Sequence, residues 1–166
     1  MGGFRSEGGV SRSGLAALDA VTGAPTSWAP VVDAFTPYSG GDATVREIVL
    51  DGNTAYIAGD FVQVEGETRN ALAAIDLTTG ALTSWNPDVT GHVKSMALSG
   101  GAVYVTGWFE AIGGEPRDYL GAVDVATGQV TGWNPDSNDR GYFVTALGGN
   151  VYVGGGFSSI GGMPRQ

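Results

Sequence analysis

The chain repeats itself, and that constrains its fold more than any other feature. The segment Gly3-Phe4…Arg12…Leu15-Ala16-Ala17-Leu18-Asp19…Thr22-Gly23…Trp28-Ala29-Pro30 returns as Asp60-Phe61…Arg69…Leu72-Ala73-Ala74-Ile75-Asp76…Thr79-Gly80…Trp85-Asn86-Pro87. It returns again as Trp108-Phe109…Arg117…Leu120-Gly121-Ala122-Val123-Asp124…Thr127-Gly128…Trp133-Asn134-Pro135, and a fourth copy runs from Gly156-Phe157 to Arg165. In every copy that reaches them, Phe to Arg is eight residues, Arg to Asp seven, Asp to Gly four and Gly to Trp five. Phe61, Phe109 and Phe157 are 48 residues apart, whereas Phe4 and Phe61 are 57 apart. The nine extra residues fall between Trp28 and Phe61, where Pro37, Tyr38, Gly40 and Gly41 mark an inserted surface loop over about 31–44. A period of this length signals units that bury their apolar faces only against their neighbours.

One repeat carries four strand signals. They are Val93 to Leu98, Ala102 to Thr106, Leu120 to Val125 and Gln129 to Trp133, divided by Ser99-Gly100-Gly101, Ile112-Gly113-Gly114 and Thr127-Gly128. The runs are short and rich in β-branched and aromatic residues, which suit a pleated surface. The 29 glycines sit mostly in clusters between such runs, where tight hairpins need residues with φ > 0. Pro87 and Pro135 follow the last strand signal, because proline cannot donate to a ladder. Four antiparallel strands in a repeat of this length predict an all-β protein, a β-propeller of four-stranded blades. A parallel β-helix has shorter coils, and an immunoglobulin-like sandwich does not repeat its sequence at this interval.

The expected organisation is a half-blade over 1–30, full blades over 45–87 and 93–135, and a half-blade over 142–166. That is three blade equivalents, fewer than the about four to eight of a closed ring. The first half-blade lacks the first two strands, the last lacks the other two, and unpaired edges invite association. The expectation is a two-fold homodimer that closes six blades. A fragment, excised or engineered from a longer propeller, is the competing expectation.

The net charge of −9 argues against a nucleic-acid partner, since a phosphate backbone is repelled on average. No apolar run approaches the ~20 residues of a membrane-spanning helix, and no signal peptide is legible. The absence of cysteine excludes disulfides and thiolate metal sites. The polar, acidic surface points weakly to an extracellular or secreted parent protein.

Residues that recur once per repeat read first as architecture. Asp19, Asp76 and Asp124 are placed to accept from the Thr-Gly turn amides or to pair with an arginine. The arginines are Arg12, Arg69, Arg117 and Arg165. Trp28, Trp85 and Trp133, with Phe4, Phe61, Phe109 and Phe157, read as packing residues between blades. Trp108 is different, because it stands where the other copies carry Gly3, Asp60 and Gly156, and so it is a candidate ligand contact. Arg46 and Lys94 occupy matching places in successive first strands, which usually line a propeller's central channel. They are candidate contacts for an anion or a carboxylate-bearing ligand, with Glu47 as the competing partner. His92, the single histidine, is expected in a surface connection and without a metal partner. Asp136-Ser137-Asn138-Asp139-Arg140-Gly141 begins like a calcium loop, but Arg140 stands where an oxygen ligand is needed. No catalytic, metal or cofactor constellation is found.

The stretches Ala17-Leu18-Asp19…Thr22-Gly23…Trp28, Ala74-Ile75-Asp76…Thr79-Gly80…Trp85 and Ala122-Val123-Asp124…Thr127-Gly128…Trp133 resemble the tryptophan-docking motif of quinoprotein-like propellers. The Trp here lies five residues after Gly, one further than in that motif. Val151-Tyr152-Val153-Gly154-Gly155-Gly156-Phe157 through Arg165 is similar to secreted propeller-repeat proteins of bacteria and to fungal cortical-marker-type propellers. The resemblance implies the fold and blades locked through tryptophan. Quinoprotein dehydrogenases hold quinone and calcium with residues outside this motif, and no residues carrying that site are found. The expected function is a non-catalytic binding or scaffolding module for a glycan or a protein. The alternatives are a quinoprotein-type oxidoreductase relative, a hydrolase acting from its channel, or an engineered or excised propeller fragment with no ligand of its own.

Overall fold

The computed structural model describes residues 6–7, 10–11, 14–33 and 43–164. Phe4, Arg12, Arg165 and most of the inserted loop lie outside these residues. All regular structure among the described residues is β. In chain order the strands are β1 (Ser6–Glu7), β2 (Val10–Ser11), β3 (Val32–Asp33), β4 (Thr44–Asp51), β5 (Thr54–Asp60), β6 (Gln63–Val64), β7 (Glu67–Thr68) and β8 (Leu72–Asp76). They continue as β9 (Val89–Ser99), β10 (Ala102–Ile112), β11 (Glu115–Pro116), β12 (Leu120–Asp124), β13 (Gly141–Leu147), β14 (Asn150–Gly155), β15 (Ser159–Ile160) and β16 (Met163–Pro164).

Each repeat is one antiparallel sheet. β5 lies between β4 and β8, and β10 lies between β9 and β12. β13 pairs with β14 alone. The turns follow the glycine pairs: Gly100 and Gly101 join β9 to β10 with φ of 59° and 79°. Gly148 and Gly149 do the same for β13 and β14, at 60° and 81°. Two successive residues with φ > 0 match the right-handed twist of a two-residue hairpin.

The bend after the second strand is itself a hairpin. It joins β10 to β11 through Gly113-Gly114, and the same strand pair recurs as β6–β7, turned by Glu65-Gly66, as β15–β16 and as β1–β2. The segment leaving one repeat pairs with this hairpin in the next, as Val32 with Val64, Val89 with Ile112 and Ser137 with Ile160. The same hairpin therefore occurs as β1–β2 and as β15–β16, near both ends of the described residues.

The expected fourth strand does not form as regular structure. Residues 129–133 touch the third strand through one bridge, Val123 with Val130, and the other repeats show the same single bridge at Ile75–Leu82 and Leu18–Pro25. The cause is local. After Thr131 N–H donates to the Ala122 carbonyl at 2.8 Å, the Thr131 hydroxyl accepts from Trp133 N–H at 3.2 Å. This bends the chain off the ladder.

Burial explains why the strands do not alternate. On β5 and β8, Ile57, Ala73 and Ile75 face a core shared with Leu15, Val32, Phe61 and Val64. Their neighbours Tyr56, Ala58, Leu72 and Ala74 face a second core with Met96, Val103, Val105 and Phe109. A sheet buried on both faces needs apolar residues at every position. Among the described residues β14 pairs only with β13, and Tyr152 is 53 % exposed.

The recurrent polar residues tie this stack together. Asp76 Oδ1 accepts from the N–H groups of Thr78 and Thr79 and from the Thr79 hydroxyl, at 2.9, 2.7 and 2.8 Å. Asp19 and Asp124 repeat the pattern with Thr22 and Thr127. The Asp76 carboxyl is held below its ordinary value chiefly by the Thr79 N–H, then by the Thr79 hydroxyl. Arg69 and Arg117, the two described arginines of this set, donate to carbonyls and not to these carboxylates. Arg117 donates to the Pro116 and Thr131 carbonyls at 2.7 and 2.9 Å, and Arg69 to those of Thr68 and Thr83. Both clamp the irregular fourth segment to the hairpin. The Trp85 indole donates to the Asp124 carbonyl of the next repeat at 3.0 Å, and the Trp28 indole to that of Asp76 at 3.3 Å. Tyr56 meets Trp85 edge-on at 5.0 Å, and Tyr104 meets Trp133 in the same way at 5.1 Å.

Candidate functional site

A β-bulge recurs at one place in each sheet. In the first pair of strands Val45 opposes Gly59 and Glu47 opposes Ala58, which leaves Arg46 as the extra residue. In the next repeat Lys94 is extra between Val93 and Ser95, and in the last Tyr142 is extra between Gly141 and Phe143. Arg46, Lys94 and Tyr142 are 48 residues apart. The glycine opposite explains why the bulge is possible. A Cβ on Gly59 would lie 2.0 Å from the Thr44 carbonyl oxygen, one on Gly107 2.2 Å from that of His92, and one on Gly155 2.4 Å from that of Arg140. Only a residue without a side chain lets the two backbones close to this distance. The bulge re-aims the extra side chain, so the framework holds still while the residue it presents changes from repeat to repeat.

Two further positions border each bulge. One carries Thr44, His92 and Arg140, and the other Asp60, Trp108 and Gly156. Divergent residues from all three positions meet in one cavity of about 310 Å³ lined by Arg46, Asp60, His92, Lys94, Trp108, Arg140 and Tyr142. A neighbouring cavity of about 660 Å³ shares His92 and Trp108 with it and adds Asn70, Thr90 and Glu110. Trp108 thus stands between two hollows and is 61 % exposed.

The polar groups form a defined set. Arg46 Nε donates to Asp60 Oδ1 at 3.2 Å, and its Nη2 engages Asp60 Oδ2. His92 Nδ1 lies 3.3 Å from Asp60 Oδ1. One carboxylate therefore orients both a guanidinium and an imidazole. Arg140 lies over the Trp108 ring, its Cζ 4.8 Å from the centroid, a cation–π contact. Its Nε is buried without a hydrogen-bond acceptor, and its nearest carboxylate oxygen is Asp139 Oδ1 at 3.8 Å. Lys94 makes no ion pair among the described residues. Three cations and one carboxylate line the smaller cavity, in a chain whose net charge is −9.

Arg46, Lys94 and Trp108, read from the sequence as separate candidates, are brought together here. Glu47 is not the partner of Arg46, since its carboxylate accepts from Met96 N–H in the next sheet at 2.5 Å. His92 is not in a surface connection but within β9, directly across the ladder from Trp108. Asp60, Arg140 and Tyr142 were not legible as site residues one at a time. Their signal is the repeat frame, because each stands at a position where equivalent residues differ beside an invariant glycine. The Trp28 and Trp85 indoles reach the next repeat and Trp133 meets Tyr104 of its own, and none of the three lines this cavity. No serine or cysteine lines either cavity, and no group of three or more metal-ligating side chains occurs among the described residues.

No protein-family profile matches the chain, and neither a curated protein nor a solved structure shows a significant similarity to it.

Proposed function

We propose that the chain is a segment of β-propeller, akin to the quinoprotein-like and secreted propeller-repeat proteins, that works as a non-catalytic binding module. The observation that carries this reading is the separation of its residues into two classes. Residues identical in every repeat hold sheets together, and residues that differ at equivalent bulges converge on one cavity. An exposed indole beside hydrogen-bonding and charged groups suits a saccharide, whose C–H face stacks on the ring while its hydroxyls reach polar side chains. A glycan is therefore the preferred ligand, presented outside the cell, and a protein loop is the second choice. A screen of immobilised glycans with the wild-type chain and with Trp108→Ala tests this. Binding lost in the variant supports the reading. Glycan binding that Trp108→Ala leaves unchanged removes the cavity as its site.

Self-association has its own support. In the two sheets with a third strand, a tyrosine of the second strand meets a tryptophan edge-on, but Tyr152 has no such ring among the described residues. Conversely Trp28 has no tyrosine, and the Trp133 indole has no carbonyl acceptor there. A second copy supplies all three groups if its segment 15–28 pairs with β14, with Trp28 on Tyr152 and the Asp19 carbonyl on Trp133. Two such junctions make a two-fold ring of six repeats. One of the two equivalent hairpins, β1–β2 or β15–β16, must vacate each junction. Sedimentation equilibrium tests this, with a dimer expected and a concentration-independent monomer contradicting it.

A further inference from the structure

The charge in the smaller cavity is not balanced. Asp60 is already shared by Arg46 and His92. Lys94 has no ion pair among the described residues, and Arg140, its side chain 43 % exposed, pairs only with Asp139 Oδ1 at 3.8 Å, a carboxylate outside the cavity lining. A carboxylate between two cations makes charge-assisted hydrogen bonds, which are stronger than neutral ones. Both cations stand at the mouth of a hollow beside Trp108, which remains 61 % exposed with Arg140 over its ring.

We infer that this cavity takes a carboxylate-bearing sugar, a uronic-acid unit of an acidic saccharide, with Lys94 and Arg140 on the carboxylate and Trp108 under the ring. The inference rests on the binding-module reading and narrows its ligand. A neutral sugar leaves Lys94 without a counter-charge and Arg140 with only its long contact to Asp139. A phosphate dianion would face the Asp60 carboxylate on the same wall, whereas a single negative charge matches the excess better. A volume near 310 Å³ is at the small end for a ligand pocket and fits about one sugar ring. The adjoining hollow across His92 and Trp108, with Asn70, Thr90 and Glu110 on its walls, gives the next neutral unit polar partners. Glu110 in that second hollow works against a second carboxylate there, so the charged unit belongs on the Lys94 side.

The test compares three probes on the folded chain: a disaccharide of one uronic-acid unit joined to a neutral sugar, the same disaccharide as its methyl ester, and inorganic phosphate, each followed by calorimetry. The acid form should bind at least about tenfold more tightly than the ester, because the carboxylate meets charged donors. Its affinity should fall as salt rises. Lys94→Gln, at an exposed position, should lose about tenfold toward the acid and little toward the ester. Trp108→Ala should weaken both alike. Equal affinity for acid and ester, both sensitive to Trp108→Ala, would overturn the inference while leaving a glycan-binding module. Phosphate binding with no saccharide binding would overturn it in favour of a plain anion site. Absence of saccharide binding in wild type and variants alike would remove both this inference and the glycan reading.

Discussion

Replacing Gly107 with alanine isolates what the bulge requires. The backbone there does not have positive φ, so alanine is not excluded by torsion. It is excluded by space: the new Cβ would sit 2.2 Å from the His92 carbonyl oxygen and 2.9 Å from Lys94 N. Those are backbone atoms of a paired strand, and neither can swing aside as the end of a side chain can. β9 must move outward by more than an ångström or the bulge must open, and both disturb a core that includes Val93 and Met96, at 0 % and 1 % exposure. Forced repacking of this kind costs about 1–3 kcal/mol, and the upper half applies where the clash is with backbone. For a chain of this size about 2–3 kcal/mol lowers Tm by roughly 4–12 °C. Gly132→Ala is the control, because nothing lies within 4 Å of its Cβ and its φ is not positive. Its effect should stay within about 0.5 kcal/mol. Thermal and urea unfolding of the two variants beside wild type give the answer. Equal stability of Gly107→Ala and Gly132→Ala would refute the claim that this glycine exists for close backbone approach.

Three further outcomes follow from the framework residues. Trp85→Phe should destabilise by about 1–2 kcal/mol, because it removes the indole donor to the Asp124 carbonyl at a buried site. Trp28→Phe should cost less, its bond being longer and its ring less buried, and paired urea curves measure both. Arg117→Lys should lose about 1 kcal/mol or more, since one ammonium cannot span the Pro116 and Thr131 carbonyls that the guanidinium bridges. The carboxyls of Asp19, Asp76 and Asp124 are depressed below 3.8 by their turn hydrogen bonds. Their contribution is therefore complete above the unfolded value and disappears as pH falls through the lower folded values. The gap in Tm between wild type and Asp76→Asn should be constant from neutral pH to about pH 5 and shrink below about pH 4. A gap that widens on acidification would contradict this assignment.

Much of the fold is legible because the repeat supplies several sightings of each position. The Gly-Gly hairpins, the Asp-Thr-Gly turns and the apolar strands each appear more than once, and local chemistry fixes them. The fourth segment is misread because Val130 and Thr131 have strand character while the Thr131 hydroxyl diverts the chain two residues later. For the recurrent Asp the spacing left two partners open, the turn amides and an arginine, and only the folded hairpin shows that the turn amides take the carboxylate while the Arg69 and Arg117 guanidinium groups reach carbonyl oxygens of the fourth segment. The cavity was legible in part. Arg46 and Lys94 stood out as charges in equivalent strands and Trp108 as an unrepeated aromatic. Their meeting depends on a register slip of one residue, which no hydrophobic pattern encodes. Gly59, Gly107 and Gly155 did encode it, 48 residues apart, as a demand for backbone contact across two strands.

One framework device, repeated, gathers divergent side chains into a single cavity, which on the proposed reading binds an acidic saccharide. Hydrogen exchange at saturating acidic oligosaccharide tests this most directly. The predicted result is added protection confined to residues 44–47, 92–94, 107–110 and 140–142, with none at the Thr-Gly turns of residues 79–80 and 127–128. Protection centred on those turns, or on the open edge of β14 with the bulges unchanged, would contradict it.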